Sequence, residues 1–480
     1  MRSGVKRIGS LAVLLTAVVG CSGASVASSA SGASSASGAS SELSASGGAP
    51  QVPPSEPAVK ASTGAGGSEE LDENARALVA QVKSMLDRVA RVRGLPIRRE
   101  VPIRILDRPA MLARIREQAA KDLPPEMLVN QGEALSAFGL VPPDFDFVAG
   151  MFRLIEGQIA GFYVPEDGTM YLADDLSEAE AEETLAHELV HALQDQSYGL
   201  AQMIKVAEGD GDRVTAAHAL VEGDAMSAML DVSVGSAFAV SEGALRRLLT
   251  LSTSMSAVGA TSPRVLTSSL TAPYADGFGF VQGLRRRGGW KAVDAAYGAL
   301  PVTTEQLLHL DKLDAREPGL AVGVAPVGAL GEGFRPVWSD VMGEQGLRIV
   351  LEDWAHRTKA TAGAAGWGGD RMMVARRDGE GSRRAFAAAW PIKLDTLEDA
   401  AEVAEVLRAR FGTACRERPD VGGFAWKARG RDVVIAAGPY ERVGREAKAA
   451  GGCAVTVKWV EAILKEGSPE QGAKTSPPRG

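Results

Sequence analysis

The chain is poor in histidine and in cysteine. It has five His and three Cys among 480 residues, and its formal net charge is −8. No run of Lys and Arg is long enough to suggest a nucleic-acid partner. Beyond the amino-terminal segment no stretch of about 18 apolar residues occurs, so we expect no transmembrane helix there. No internal repeat is found either, which argues against a repeat architecture.

The first twenty residues have the pattern of a targeting segment. Basic residues precede the apolar run Ile8–Val19, which is shorter than a transmembrane helix requires. The run ends in a Val-Val-Gly-Cys sequence that resembles a bacterial lipobox, which implies cleavage after residue 20 and lipid attachment to Cys21. An uncleaved anchor and an ordinary secretory signal are the alternatives. Because Ser22 stands where an inner-membrane retention Asp is common, the sequence favours a lipid-anchored protein of the bacterial outer membrane.

Polar, low-complexity segments flank the body of the chain. Residues 21–69 are mostly Ser, Gly and Ala, a composition that cannot bury enough apolar surface to fold. They predict a flexible tether with a root-mean-square span of about 35–40 Å. Residues 467–480 predict a loose tail. Cys415 and Cys453 lie in the body, where an oxidising compartment would let them pair; two free buried thiols are the alternative.

The body predicts an α+β fold with two parts. Residues 70–370 are mainly helical and include a β-hairpin around the Asp167-Gly168 turn. Residues 371–466 alternate strand and helix patterns and predict a smaller α+β region. We expect a helix over Val337–Thr358 and a tight turn at the Gly-rich stretch Gly366–Asp370.

One short motif carries the chemistry, because His187-Glu188-Leu189-Val190-His191 is an HExxH sequence. Residues i and i+4 lie on one face of a helix, so both imidazoles can reach the same metal ion. Glu188 points to the side of this pair, where its carboxylate can reach a water on the metal. A capping box over 177–180 and the absence of Pro and Gly from 176–196 predict the helix. The alternative is a surface helix whose two His are solvated.

A catalytic zinc usually takes three protein ligands and leaves one position for water. The motif supplies two of them for one Zn²⁺ per chain, and Glu222, 31 residues after His191, is the strongest candidate for the third. A returning helix would bring its carboxylate to the metal. His218, one helical turn before Glu222, is a rival ligand. Nearby carboxylates are further alternatives: Asp210, Asp212 and Asp224. Asp224 could instead orient a ligand imidazole from outside the coordination sphere.

The motif and its surroundings resemble the gluzincins, the zinc metallopeptidases that have a glutamate ligand. The resemblance is carried by HELVHALQDQ at 187–196 and EGDA at 222–225. Three further elements are similar to a group of bacterial secreted and lipoprotein-type proteins: Gly161–Tyr163, Pro301–His309 and Gly366–Asp370. The resemblance spans about Gly157–Asp399 and implies a mainly helical, zincin-like domain with a hairpin, an active-site helix and a ligand helix.

For the reaction, the resemblance implies hydrolysis of peptide bonds with Glu188 as the general base. A downstream His or Tyr stabilises the oxyanion in such enzymes. His309 is the first candidate for this role, and Tyr274 and Tyr163 are its rivals. A purely structural role for His309 is the alternative. By family analogy, we expect the strand at Met170–Leu172 to bind an extended peptide by strand addition.

Three functions are compatible with these observations. The first is a membrane-tethered, extracytoplasmic zinc peptidase that acts on a peptide or protein substrate. The second is a non-catalytic lipoprotein scaffold, and the intact Glu188 argues against it because a scaffold has no use for a general base. The third is a zinc hydrolase of another amide, such as a cell-wall peptide.

Overall fold

The structure, a computed structural model, describes residues 67–122, 125–203, 209–381 and 383–466. The predicted signal peptide, Cys21, nearly all of the tether and the carboxy-terminal tail lie outside the described residues. The α-helices are, in chain order, α1 (Gly67–Arg93), α2 (Arg108–Asp122), α3 (Pro125–Ala137), α4 (Phe147–Glu156), α5 (Glu178–Tyr198), α6 (Leu200–Met203), α7 (Gly211–Ser233), α8 (Glu242–Met255), α9 (Arg264–Gly298), α10 (Thr304–Leu308), α11 (Leu310–Ala315), α12 (Gly343–Trp354), α13 (Arg357–Ala365), α14 (Leu397–Phe411) and α15 (Cys453–Glu466).

A small three-stranded sheet precedes the HExxH segment. Its strands are β1 (Ile103–Leu106), β2 (Gly161–Val164) and β3 (Thr169–Ala173), in the order β1-β3-β2. β2 and β3 form the predicted hairpin, whose turn contains Gly168 at φ +67°, a conformation that other residues adopt only with strain. β1 pairs parallel to β3. The central strand is therefore β3, and β2 is an edge.

A second, antiparallel sheet forms the carboxy-terminal part. Its strands are β4 (Arg335–Asp340), β5 (Trp367–Asp370), β6 (Met372–Asp378), β7 (Arg384–Leu394), β8 (Arg416–Arg418), β9 (Gly422–Arg429), β10 (Asp432–Val443) and β11 (Glu446–Ala449). The order is β4-β6-β7-β10-β9-β8, with β5 paired to β7 and β11 to β10. Residues of β7 alternate between two cores: Trp390 packs with α3, α12 and α14, and Ala389 packs with α15. Helices therefore cover both faces of this sheet.

The predicted α+β class is confirmed, with helices predominating and strands gathered in two sheets. Two local predictions were wrong. Val337–Thr358 is not one helix, because β4 pairs with β6 and Gly343, at φ +69°, turns the chain into α12. Gly366–Asp370 is not a tight turn, because its last four residues form β5 against β7. Short apolar runs do not distinguish strand from helix, and in both segments the sheet decides.

The large sheet takes strands from both sides of the predicted boundary at residue 371. β4 and β5 precede that residue and pair with β6 and β7, which follow it. The described residues from Met85 onward belong to one compact unit.

Two further properties concern the cysteines of the body and the hydropathy of the helices. Cys415 and Cys453, whose pairing the sequence left open, are joined by a disulfide with a Cα–Cα distance of 5.7 Å. None of the described helices combines the length and the hydropathy that a membrane span needs.

Two glycines let α7 and α9 approach each other beside the third metal-ligand candidate. A Cβ built on Gly223 would lie 2.0 Å from the backbone carbonyl carbon of Gly277, and one on Gly277 would lie 1.8 Å from the Ala219 carbonyl oxygen. Both distances are far inside van der Waals contact, so larger residues fit only if the helices separate. This crossing positions Glu222 of α7 and Tyr274 of α9 in one region of the core.

We expect Gly223→Ala to lower the free energy of unfolding by about 2–3 kcal/mol, because the added methyl meets backbone rather than a flexible side chain. Gly298→Ala on α9 is the matched control, since a Cβ there meets nothing within 4 Å. The control is expected to be neutral or to stabilise by up to about 1 kcal/mol. Urea unfolding followed by circular dichroism measures both, and equal midpoints for the two variants would contradict the close crossing.

Candidate metal centre

The HExxH residues lie in the middle of α5 on the side that faces the core. The predicted capping box is present, because the Ser177 side chain accepts from the Glu180 N–H and the Glu180 carboxylate accepts from the Ser177 N–H. His187 is fully buried, and Glu188 and His191 expose 2% and 7% of their surface. The alternative of a surface helix with two solvated His is therefore wrong.

α7 packs against α5 and brings Glu222 to the two imidazoles. The Nε2 atoms of His187 and His191 are 3.0 Å apart. Glu222 Oε2 lies 3.1 Å from His187 Nε2 and 3.6 Å from His191 Nε2. Three candidate ligand atoms from two helices thus lie close together in the core.

This triangle of atoms fits a zinc ion. Zinc binds nitrogen and oxygen at about 2.0–2.1 Å, so neighbouring ligand atoms of a tetrahedral site lie about 3.3–3.4 Å apart. The three observed separations of 3.0, 3.1 and 3.6 Å bracket this value. Glu188 also offers an oxygen within 4.8 Å of both imidazoles. Glu222 is the stronger candidate for the third ligand because its Oε2 contacts the Nε2 atoms of both imidazoles, and Glu188 lies beside this triangle.

Glu222 is held as an anion by the imidazoles around it. Burial by itself would raise its pKa, but His191, His187 and His218 together outweigh burial and hold the pKa of Glu222 well below its usual range. His218 Nε2 lies 3.1 Å from Glu222 Oε1. His218, a rival ligand in the sequence, therefore binds the second oxygen of Glu222 and stays outside the triangle.

Glu188 lies between the imidazole pair and the edge of the small sheet. Its carboxylate accepts a hydrogen bond from the backbone N–H of Tyr163 in β2, and burial raises the pKa of Glu188. The strand that borders the site is thus β2. The expectation that Met170–Leu172 offers a free edge was wrong, because β3 is paired on both sides.

Gln194, which sequence reasoning missed, orients the second imidazole. Its Oε1 lies 2.8 Å from His191 Nδ1, so Nδ1–H donates and Nε2 is left with a lone pair. The Gln194 amide donates to Asp224 Oδ2 at 3.0 Å. Asp224 therefore acts on the imidazole through Gln194 rather than directly. The position of Gln194 three residues after His191, on the same helix face, was the signal available in the sequence.

Asp224 is anchored by a residue from the amino-terminal helix. Arg93, fully buried at the end of α1, donates from Nε to Asp224 Oδ1 at 2.6 Å and from a terminal nitrogen to Asp294 at 2.7 Å. The Tyr297 hydroxyl donates to Asp224 Oδ2 at 2.9 Å. The end of α1 is thus part of the support of the metal centre.

Gln194→Leu is expected to weaken zinc binding by about 10- to 100-fold, the usual cost of losing a partner that orients a metal-bound His. Gln202→Leu, on the exposed side of α6, is the matched control. Competition with a chromogenic chelator measures the zinc dissociation constant of both variants. Equal affinities would mean that Gln194 does not orient His191.

The three candidates for the hydrogen-bond donor to the oxyanion have different surroundings in the structure. His309 Nε2 lies 2.9 Å from Glu344 Oε1, and this ion pair with α12 supports the structural alternative for His309. The Tyr163 hydroxyl donates to a carboxylate on α5 at 2.9 Å. Tyr274 is buried, and its ring centroid is 6.1 Å from that of His187. Among the candidates, Tyr274 is the one whose ring borders a metal-ligand imidazole.

Two segments that follow α7 in the chain, Pro301–His309 and Gly366–Asp370, connect the candidate metal centre to the large sheet. The backbone N–H and the hydroxyl of Thr304 donate to Asp212 at the start of α7, at 3.0 and 2.5 Å. Thr304 Oγ1 accepts from the Gln345 N–H, and Asp370 accepts from the Gly343 N–H. These bonds tie α7, which carries Glu222, to α12 and β5. They give the segments Pro301–His309 and Gly366–Asp370 a structural role that requires no part in catalysis.

A second group of carboxylates surrounds a lysine side chain of the same protein and is not a candidate metal centre. Glu305, Glu317 and Asp395 place oxygens within 4.8 Å of one another. Lys312 Nζ lies among them, at 2.5, 3.2 and 2.6 Å respectively. The ammonium group already supplies the positive charge that this cluster requires.

Asp212 should make the stability of the fold depend on pH. Its Oδ2 is buried without a hydrogen-bond partner, and burial raises its pKa to about 8. An unfolded Asp has a pKa of about 3.9, so the folded state binds this proton more tightly and loses stability as pH rises from about 4 to 8. Asp212→Asn should reduce the fall in the urea midpoint between about pH 5 and 8. An equally steep fall in both proteins would contradict this prediction.

Comparisons with known proteins match one segment of the chain. Residues 334–448 match a family model described as a domain of unknown function (DUF8575). The matched segment runs from β4 into β11, so it covers the large sheet and lies outside the metal centre. No curated protein and no solved structure matches the chain.

Proposed function

We propose that this protein is a zinc-dependent peptidase anchored outside the cytoplasm. The observation that carries the proposal is the convergence of His187 Nε2, His191 Nε2 and Glu222 Oε2 within 3.0–3.6 Å, with the carboxylate of Glu188 beside them. Two imidazoles and one carboxylate form the ligand set of catalytic zinc sites that keep a position for water.

A zinc ion held by these residues would lower the pKa of a water molecule and polarise the scissile carbonyl. Glu188 takes the proton of the attacking water and then gives it to the leaving amine. The raised pKa of Glu188, caused by burial, brings its basicity closer to neutral pH and suits both transfers.

The neighbouring elements supply the remaining parts of the proposed reaction. β2 is the edge strand beside Glu188, so an extended substrate lies along this border of the site. Tyr274, whose ring borders His187, is the proposed donor to the oxyanion. We prefer Tyr274 to His309, which is paired with Glu344.

The proposed location is the outer membrane of the bacterial cell envelope. It is supported by the lipobox-like sequence that ends at Cys21 and by the Ser-rich tether that follows. The disulfide between Cys415 and Cys453 supports an oxidising compartment. Peptides or proteins outside the cytoplasm are then the substrates.

The experiment that tests the proposal measures metal content and cleavage on the same sample. The purified chain should contain one zinc per molecule and should cleave members of a random peptide library, and removal of zinc with a chelator should stop cleavage reversibly. A chain that binds no zinc overturns the proposal. A chain that binds zinc but cleaves no peptide in the library is instead a scaffold or a hydrolase of another amide.

A further inference from the structure

A cavity of about 100 Å³ lies behind the ligand helix, between α3, α7, α9 and the start of α12. Its polar wall residues are Gln131, Thr215, His218, Ser269, Asp340 and Gln345. Two lining residues link the cavity to the candidate site: His218 is bonded to Glu222, and Pro273 is the chain neighbour of Tyr274.

Two buried acceptors on this wall have no partner. His218 Nε2 lies 3.1 Å from Glu222 Oε1, and in the neutral tautomer whose Nε2–H donates to that carboxylate, Nδ1 is an acceptor. Nδ1 is buried without a hydrogen bond in a residue that exposes 1% of its surface. Gln131 Oε1 is the second such acceptor. A buried acceptor without a donor costs free energy. A molecule in the cavity that donated hydrogen bonds to these two atoms would therefore be stabilised there.

The wall also carries negative charge. Asp340 accepts the backbone N–H groups of Gly211 and Val341 at 2.8 and 2.9 Å, and burial raises its pKa to about 6, which leaves it ionised at neutral pH. None of the described residues that line the cavity is a lysine or an arginine. Acceptors and one carboxylate favour a cationic occupant that has several N–H donors.

We propose that this cavity is a subsite for a primary ammonium group of the substrate, either the free amino terminus or a lysine side chain. An ammonium has three N–H donors, which match His218 Nδ1, Gln131 Oε1 and the carboxylate of Asp340. The proposal rests on the proposed function and deepens it, since it names the substrate class. The bond from His218 to Glu222 places this group one residue away from the ligand triangle.

Binding of a probe cation tests the subsite without any need for cleavage. Calorimetric titration of the zinc-loaded full chain with n-propylammonium should show binding, and tetramethylammonium, a cation without N–H donors, should bind at least about tenfold more weakly. Gln131→Leu should weaken n-propylammonium binding about tenfold, as expected for one hydrogen bond to a charged donor. Gln131→Glu should strengthen it, and the control Gln202→Leu should not change it.

The outcomes against the proposal are distinct. Equal binding of the two cations, or no binding of n-propylammonium, means that the cavity holds only water. Binding that neither Gln131 variant alters also overturns the assignment, and the opposite effects expected of the two variants separate lost binding from misfolding.

Peptide substrates then distinguish the two sources of the ammonium group. Loss of cleavage on acetylation of the amino terminus identifies that terminus, and loss on replacing lysine by norleucine identifies the side chain. Cleavage that is indifferent to both changes overturns the subsite and leaves the peptidase intact. Binding of n-propylammonium by a chain that cleaves no peptide leaves the ammonium site and overturns the peptidase.

Discussion

Glu188→Gln is expected to remove peptide hydrolysis while zinc binding stays intact. The amide keeps the volume of the buried side chain but cannot accept the proton of the attacking water. A general base contributes about 10²- to 10⁴-fold, so the rate on a cleaved library peptide should fall by at least about 10²-fold. Initial rates and bound zinc, measured on the same protein sample, give both quantities.

Glu183→Gln is the matched control for this experiment. Glu183 lies on α5, five positions before Glu188, and is not one of the residues that place a ligand atom at the metal centre. Its substitution should leave the rate and the zinc content unchanged. If Glu188→Gln cleaved peptides as fast as the unsubstituted chain, another group would be the base. If it lost its zinc, Glu188 would be a ligand rather than a base.

Glu222→Gln should have the largest effect on metal binding. The substitution is nearly isosteric but removes the negative charge that three imidazoles surround. Loss of a direct ligand should exceed the roughly 10- to 100-fold cost of losing an outer partner. The zinc dissociation constant is measured by chelator competition, and the result is compared with that of Gln194→Leu.

Glu242→Gln, at the exposed start of α8, is the control for Glu222→Gln. It should bind zinc as the unsubstituted chain does. A dissociation constant for Glu222→Gln that lies within a few-fold of the control would remove Glu222 from the ligand set. In that case Glu188, whose oxygen lies within 4.8 Å of the imidazole pair, would be the next candidate for the third ligand.

The large sheet has a physical connection to this chemistry. Asp370 of β5 holds Gly343 at the start of α12, and Thr304 holds both Asp212 of α7 and Gln345 of α12. The ligand helix is therefore fastened to the segment that matches the family model. We expect substitutions in this chain of bonds to act on stability first and on zinc affinity through α7.

The sequence by itself determined the features that depend on neighbours along the chain. The 3.6-residue period of a helix places His187 and His191 on one face, and the capping box sets where α5 begins. The Asp167-Gly168 turn determines the hairpin before α5, since Gly168 adopts positive φ. These features need no tertiary information because each of them is closed by contacts within one element or one turn.

Only the tertiary structure decided which distant side chains meet. Glu222 lies beside His187 and His191, and His218 lies behind Glu222, because the Gly223–Gly277 crossing and the packing of α5 on α7 set their positions. No local pattern encodes that packing. Gln194 reaches Asp224 for the same reason. The edge position of β2 in the small sheet, the strands β4 and β5, and the Cys415–Cys453 bond likewise depend on partners far away in the sequence. Each of them is selected by burial and pairing in the assembled core rather than by local propensity.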